Sequence, residues 1–299
     1  MKKQLYILSD GKPGHLNQSL GIAQFLDHDE VEIIQVKSRL EMLHWFKGQL
    51  GLKHQVSHPL IIGAGSKTQL WLILAKYVLG YKSVVLMKPN YPMFCFDLCL
   101  IPEHDYLNHD VSRLASHVYL TKGAPNKIAY TSKKRKSSLL FLIGGPSKAY
   151  DLFPDSLLDM IQFLTTQAGG KTITLTTSRR TPESFINKVK ALDLDIEVID
   201  GKATKPEWLP EQLAKTEQVW VTEDSVSMVY EALSSGAKVG LLPMAKLRKS
   251  SRVAQGLELL INEGYLTTYM DYIGEKSLTP APKTLQEARR CAAIIAQVL

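Results

Sequence analysis

Short apolar runs separated by helix-length amphipathic stretches recur along nearly the whole chain. Residues 4–9 form the first run, and a helical spacing follows through Leu20, Ala23 and Leu26. Further strands are predicted at 31–34, 59–62, 82–87, 96–101 and 117–121, with an amphipathic stretch around Leu40, Leu43 and Phe46 and a helix over 67–79. Between Thr121 and Ser137 the pattern lapses into Gly, Pro, Asn and basic residues, as in a linker. It then restarts with strands at 138–143, 171–176, 196–199, 218–222 and 238–242. Helices are predicted near 154–167, 183–192, 208–214 and 250–263, and a last one over 284–298 follows an irregular tail. Strands that alternate with helices over short loops predict an α/β protein of two doubly wound, parallel-sheet, Rossmann-like domains. The expected organisation is 1–122, a linker at 123–137, a second domain at 138–283, and a final helix at 284–299 packing back on the first domain. A ligand shared by two such halves belongs in a central cleft, facing the C-terminal ends of both sets of strands.

Composition narrows the class. The 299 residues exceed what one core usually supports, and 45% hydrophobic with 22% charged residues is ordinary for a soluble globular protein. No apolar run approaches the ~18 residues of a membrane span, and the run at 5–8 is too short for a signal-peptide core, which points to the cytoplasm. Cys95, Cys99 and Cys291 give no disulfide framework, and the spacing Cys95-x-x-x-Cys99 is a poor metal corner, so buried thiols are expected. A net charge of +7 favours anionic partners. The cations gather at Lys133-Lys-Arg-Lys136, read as solvated surface, and at Lys246-Leu-Arg-Lys249 with Arg252.

The most informative stretch is Val221-Thr-Glu-Asp-Ser-Val-Ser-Met-Val-Tyr-Glu231, which reads as a strand end opening directly into a helix that stops at Gly236. Asp224 or Ser225 is placed to cap that helix. Its first turn offers backbone N–H groups and the hydroxyls of Ser225 and Ser227 to an anion. Glu231, two turns in, is placed to accept from a hydroxylated group beyond the anion, an arrangement suited to a nucleoside diphosphate. Two other loops of the second half carry matching chemistry. Gly144-Gly-Pro-Ser147-Lys148 follows the first strand, and Thr176-Thr-Ser178-Arg179-Arg180-Thr-Pro182 follows the next, with two guanidinium forks before a Pro-initiated helix. In the first half, Ser9-Asp10-Gly11-Lys-Pro-Gly14-His15-Leu-Asn17-Gln18-Ser19 brings polar groups to a strand–helix turn, with His15 a candidate base. Gly63-Ala-Gly65-Ser-Lys-Thr68 lacks the spacing of a Walker A loop, which disfavours a P-loop NTPase. Pro102-Glu103-His104-Asp105 places ionisable side chains on a further loop. Asp193-Leu-Asp195 is read as a turn, and no metal site is expected.

These motifs, in this order, resemble the ELM-type mitochondrial fission family and its bacterial relatives. The matching residues are Ser9-Asp-Gly-Lys-Pro-Gly-His-Leu-Asn-Gln18, Gly63-Ala-Gly65, Val85-Leu-Met-Lys-Pro89, Phe96-Asp-Leu-Cys99 and Pro102-Glu-His-Asp105. They continue with Gly144-Gly-Pro-Ser-Lys148, Thr176-Thr-Ser-Arg-Arg-Thr-Pro182 and Thr222-Glu-Asp-Ser-Val-Ser-Met228 with Glu231. Leu16 and Lys88 depart from the pattern, standing where Glu and Asn are expected. More distantly the layout is similar to GT-B transferases such as the one that forms lipid II, in which the second domain binds the nucleotide-sugar and a helix carboxylate like Glu231 holds the ribose. The resemblance implies a GT-B glycosyltransferase moving a sugar from a nucleoside-diphosphate donor to a hydroxyl acceptor, in cell-envelope glycan synthesis. The donor would meet Gly144, Gly145, Ser147, Lys148, Ser178, Arg179, Arg180, Asp224, Ser225, Ser227, Met228 and Glu231. His15 or Asp10 would serve as base, and Gly11, Gly14, Asn17, Gln18, Gly63, Gly65, Glu103 and His104 would face a glycan or lipid-linked acceptor. No cofactor, metal or nucleic acid is expected, while the net positive charge and the basic clusters suggest peripheral contact with anionic lipid at the inner membrane face. The alternatives are a nucleotide-binding adaptor or membrane-associated protein of the same fold without turnover, and a sugar-nucleotide epimerase or hydrolase. The fission role belongs to plant members and is not carried over.

Overall fold

The structure, a computed structural model, describes residues 3–52, 59–106, 114–131, 136–247, 252–274 and 277–299. The basic run at 132–135 and residues 248–251 of the second basic cluster lie outside them. By internal contacts the chain separates into two compact units, Met1–Lys127 with Gln286–Leu299, and Ile128–Leu285.

The first unit is a six-stranded parallel sheet of β1 (Gln4–Ser9), β2 (Glu30–Gln35), β3 (Leu60–Ala64), β4 (Lys82–Leu86), β5 (Leu98–Pro102) and β6 (Val118–Thr121), in the order β2-β1-β3-β4-β5-β6. Leu5 to Leu8 are all buried, because a central parallel strand is covered on both faces. On one face, α2 (Arg39–Leu52) and α3 (Ser66–Leu74), which follow α1 (Pro13–Ala23), seat Met42, Phe46, Trp71 and Leu72 against Tyr6, Leu8, Ile61 and Val85. The other face is covered by α1 and the C-terminal helix through Ile22, Cys291, Ala292 and Ile295. The sequence predicts one helix over 67–79. The structure instead widens it into a π-turn at Ala75–Leu79, which ends at Gly80 in the left-handed region and returns the Tyr81 N–H to Ala75 O (3.1 Å).

The second unit holds another six-stranded parallel sheet. Its strands are β7 (Lys136–Ile143), β9 (Thr172–Thr177), β10 (Glu197–Ile199), β11 (Thr216–Thr222), β12 (Lys238–Leu242) and β14 (Thr267–Thr268). The order is β10-β9-β7-β11-β12-β14. A two-residue antiparallel pair, β8 (Tyr150–Asp151) with β13 (Ala245–Lys246), lies apart from it. Helices α4 (Pro154–Thr166), α5 (Glu183–Ala191), α6 (Trp208–Lys215), α7 (Val226–Ser235), α8 (Arg252–Asn262) and α9 (Tyr269–Ile273) complete the unit. Two apolar layers flank the sheet, one around Phe141, Leu157, Ile161 and Phe185 and the other around Leu140, Val219, Val229 and Leu241. The tail expected to be irregular therefore contributes the edge strand β14 and the short α9.

The last helix, α10 (Glu287–Val298), belongs to the first unit. Glu287 accepts the Lys122 N–H (2.9 Å), and Arg290 pairs with Glu287 while reaching Leu120 O (2.6 Å). The three cysteines are free; burial pushes the Cys99 and Cys291 thiols up to about 12. Asp193 takes the left-handed conformation (φ 49°) that Asp tolerates in turns.

In each sheet the connections reverse direction once, between β1 and β3 in the first and between β7 and β11 in the second. Loops leaving neighbouring strands in opposite directions open a crevice at the C-terminal ends of those two strands. The Ser9–Ser19 and Gly63–Thr68 motifs fall at the first of these places, and the Gly144–Lys148 and Val221–Glu231 motifs at the second.

Candidate functional site

At the switch point of the second sheet, three loops converge on the carboxylate of Asp224. Thr222 ends β11, and three residues later the chain opens α7 with Ser225 at its N-cap. The Asp224 side chain is 0% exposed. Its Oδ2 accepts from the Gly145 N–H (3.0 Å), from Arg180 Nη2 (2.7 Å) and from the Ser225 hydroxyl (3.1 Å). Oδ1 is buried and has no partner among the described residues. The Gly144 N–H is taken by Thr222 Oγ1 (2.8 Å). A Cβ at position 144 would lie 2.1–2.3 Å from both Asp224 oxygens and from Ser225 Oγ, so only glycine lets the β7 loop pass this close.

Arg180 locks this arrangement. Its Nη1 donates to Gly145 O (2.9 Å) and Pro146 O (3.3 Å), while Nη2 serves Asp224 and Ser225 Oγ (3.3 Å). Thr181, buried, holds the same loops from below: its hydroxyl contacts Ile143 O (3.1 Å) and Gly144 O and accepts the Ser178 N–H (2.9 Å). The cap expected at α7 is therefore not made by Asp224 or Ser225, whose side chains are engaged across the loops instead. The N–H groups of Val226, Ser227 and Met228 precede the first helical bond, from the Val229 N–H to Ser225 O (3.1 Å). Those groups, with the positive end of the helix dipole, are the ones left to meet an anion.

The expected donor-binding residues thus separate into two sets. Gly144, Gly145, Ser178, Arg180, Asp224 and Ser225 come together, but their polar groups mostly satisfy one another; in particular the glycine N–H groups expected to reach a ligand oxygen are already engaged. Arg179, Lys148 and Ser227 are exposed, and among the described residues no hydrogen bond or ion pair engages Arg179. Ser147 Oγ accepts the Ala149 and Tyr150 N–H groups in a local turn (3.2 and 3.1 Å). Met228 and Glu231 are half-buried on α7. Thr181 and Thr222 are structural members of the site that the sequence reading did not single out. A hydroxyl on the last residue of a central strand, beside a Gly-Gly loop, was the available signal.

Next to this cluster, burial raises the Glu223 carboxyl above its ordinary value, against the opposing effect of the Met244 N–H it accepts (3.2 Å). Burial likewise pushes the Tyr150 phenol up to about 12, with Glu223 and Asp224 adding to the shift, and its buried hydroxyl has no partner among the described residues.

At the switch point of the first sheet, Asp10 and His15 form a dyad. Asp10 Oδ2 lies 2.9 Å from His15 Nδ1, and Asp10 Oδ1 accepts the Lys12 N–H (3.1 Å). The Asp10 side chain is 2% exposed and that of His15 18%. An ionised Asp10 selects the tautomer with the proton on Nδ1, leaving Nε2 as a base. Gly65, at φ 90°, makes the space: a Cβ there would lie 2.4 Å from His15 Nδ1 and 2.7 Å from Asp10 Oδ2. Gly63 packs against Thr68, whose hydroxyl donates to Gly65 O (2.9 Å). Gly11 (φ 84°) and Gly14 lie at the exposed start of α1, Asn17 is half-buried, and the buried Gln18 Oε1 has no partner among the described residues. Glu103 and His104 sit after β5, three strands from β1, or roughly 14 Å at ordinary strand spacing. They are not part of the dyad, and Glu103 instead adds to the field that raises Arg290. Among the described residues no group of three or more His, Cys, Asp and Glu side chains is placed to hold a metal ion, and no helix is long and apolar enough to cross a membrane.

Comparison with known proteins matches residues 13–299 to the family described as Mitochondrial fission ELM1. No curated protein matches. Among solved structures, the UDP-GlcNAc 2-epimerase from Neisseria meningitidis bound to UDP-GlcNAc superposes with a TM-score of 0.61 at 10% identity, covering 100% of this chain and 99% of that one. The UDP-GlcNAc 2-epimerase from Methanocaldococcus jannaschii gives 0.59 at 11% identity, with 99% and 100% covered. The MurG of Acinetobacter baumannii gives 0.51 at 12% identity, with 99% of each chain covered. At these identities the likeness is one of fold, and the fold is GT-B.

Proposed function

The chain belongs to the mitochondrial fission ELM1 family, and we propose that it is a glycosyltransferase that takes a nucleoside-diphosphate sugar on its second unit and a hydroxyl acceptor on its first. The observation that carries this reading is the switch point of the second sheet. There the first-turn N–H groups of α7 are not used within the helix, Arg179 is exposed on the loop after β9, and Glu231 lies about two turns along α7. The diphosphate would rest on the Val226–Met228 N–H groups, with Ser227 and Arg179, and Glu231 would accept from the ribose hydroxyls. Arg180 and Asp224 would shape the loops without touching phosphate. The occurrence of UDP-GlcNAc in the neisserial epimerase of similar fold makes UDP-sugars the first donors to try.

The chemistry follows from charge. As the glycosidic C–O bond breaks, negative charge develops on the leaving phosphate, and prearranged N–H groups and a guanidinium stabilise it without reorganising. His15 Nε2 would take the acceptor proton, and Asp10 would stabilise the imidazolium formed. The acceptor we infer is a glycan or lipid-linked hydroxyl compound of the cell envelope. The test is incubation of the protein with radiolabelled UDP-, GDP-, ADP- and TDP-sugars, with and without lipid-extract acceptors. Label transferred to an acceptor, and lost in His15→Ala, supports the proposal. An epimerised donor formed without acceptor would replace it with the epimerase reading, and binding without any turnover would leave an adaptor.

A further inference from the structure

A surface helix normally turns one apolar stripe inward and a polar face outward. In α2 large apolar side chains lie on the outward side as well as the inward one. Met42, Phe46 and Gln49 point into the core, with 1%, 6% and 6% of their surface exposed. Leu40, Leu43 and Leu50, separated from one another by three, seven and ten residues and so sharing a helix face, are 78%, 50% and 48% exposed on the outward side. The stripe is continued by the neighbouring π-turn, which packs beside α2 on the same face of the sheet. There Tyr77 and Val78 are exposed, and Lys76, over the Tyr77 ring at 5.4 Å, donates to the carbonyl of Phe94 (3.3 Å), itself 69% exposed. Single exposed leucines need no explanation, but six large apolar side chains on adjoining elements do.

We propose that this face of the first unit docks on an anionic lipid surface. The charge around it selects that occupant. Exposed Lys37, Arg39 and Lys47 flank or interleave the leucines, with Glu41 the one acid on α2, in a chain of net charge +7. Apolar side chains entering the headgroup boundary between cations are the pattern of an interfacial helix, held jointly by apolar burial and by attraction to acidic lipids. The two basic clusters prominent in the sequence are not needed for this contact. The inference is independent of the transferase reading, since no residue of the Asp10–His15 or Asp224 clusters takes part.

Flotation of the full chain with vesicles tests it. Wild type is expected to float with phosphatidylcholine vesicles containing phosphatidylglycerol, weakly with phosphatidylcholine alone, and less as salt rises. Leu40→Asp/Leu43→Asp is expected to lower vesicle partition about tenfold or more, and Arg39→Glu/Lys47→Glu to abolish the preference for acidic lipid. Leu247→Asp, an exposed apolar site in the second unit, should bind as wild type, and unfolding curves check that the variants are folded. Failure of wild type to float with acidic vesicles at low salt overturns the proposal, as does equal binding by the leucine variant. A wild-type dimer that Leu40→Asp/Leu43→Asp converts to monomer, without vesicle binding, would reassign the face to contact between copies of this chain.

Discussion

Asp224→Asn probes the organisation of the second unit's site most sharply. The amide is nearly the shape of the carboxylate and can still accept the Gly145 N–H, but it removes the charge that holds Arg180. A hydrogen bond between charged groups contributes about 1.5–3 kcal/mol. The Arg180 side chain is 42% exposed although that of Asp224 is 0% exposed, so solvent screens the pair and the lower end applies, about 1.5 kcal/mol. For a unit of this size that corresponds to a fall in Tm of about 3–6 °C by scanning calorimetry. Arg180→Ala should cost a similar amount. Because the two side chains act on one another, the double variant should cost clearly less than the sum, with a coupling of about 1 kcal/mol. Additive effects, or an Asp224→Asn Tm within about 1 °C of wild type, would refute the idea that this pair clamps the Gly144–Pro146 loop to α7.

The remaining predictions address the dyad and the neighbouring carboxyl. His15→Ala is expected to lower the transfer rate about 10²–10⁴-fold while leaving nucleotide affinity unchanged; an equal loss in affinity would place His15 in binding instead. Gly65→Ala drives a Cβ into His15 and Asp10 at a backbone angle unfavourable for alanine, so kcat should fall at least about tenfold, with a stability cost of about 1–3 kcal/mol in urea unfolding. Glu223 has its folded pKa raised by burial, so the folded state holds its proton more tightly than the unfolded state. Its contribution is fully present below the ordinary carboxyl pKa and is lost as pH rises through the raised value. Glu223→Gln, which keeps an acceptor for the Met244 N–H, should therefore flatten the stability profile from about pH 4.5 upward and be at least as stable as wild type at neutral pH. A variant whose profile keeps the wild-type slope there would contradict the assignment.

Much of this architecture is legible from residue order, because buried parallel strands announce themselves as continuous apolar runs such as Leu5–Leu8 and Val219–Val221. What is not legible has few residues to announce it. β14 is two threonines, and β8 and β13 are two residues each, so neither period nor propensity marks them. The site divides in the same way. Its residue types and loop positions can be read from Gly144-Gly-Pro, Ser178-Arg-Arg and Thr222-Glu-Asp-Ser, since topology brings strand ends to one edge. Which of two adjacent arginines turns inward cannot be read, because that depends on which carbonyls and carboxylates surround the loop. Arg180 is held by Gly145 O, Pro146 O and Asp224, and Arg179 is left outward. Likewise, Asp224 looks like a helix cap until the β7 loop is seen pressed against it. On the first unit, the Asp10–His15 pairing sits within one motif, whereas the reason Gly65 must be glycine appears only when β3 is placed beside β1.

The central claim, that the second unit holds a nucleoside diphosphate at the start of α7, is tested most directly by isothermal titration with UDP, GDP, ADP and TDP. The account predicts saturable one-to-one binding of one of them, weakened about tenfold, or about 1.4 kcal/mol, by Glu231→Ala and by Arg179→Ala separately. Absence of binding by all four, or binding that neither substitution changes, would contradict it.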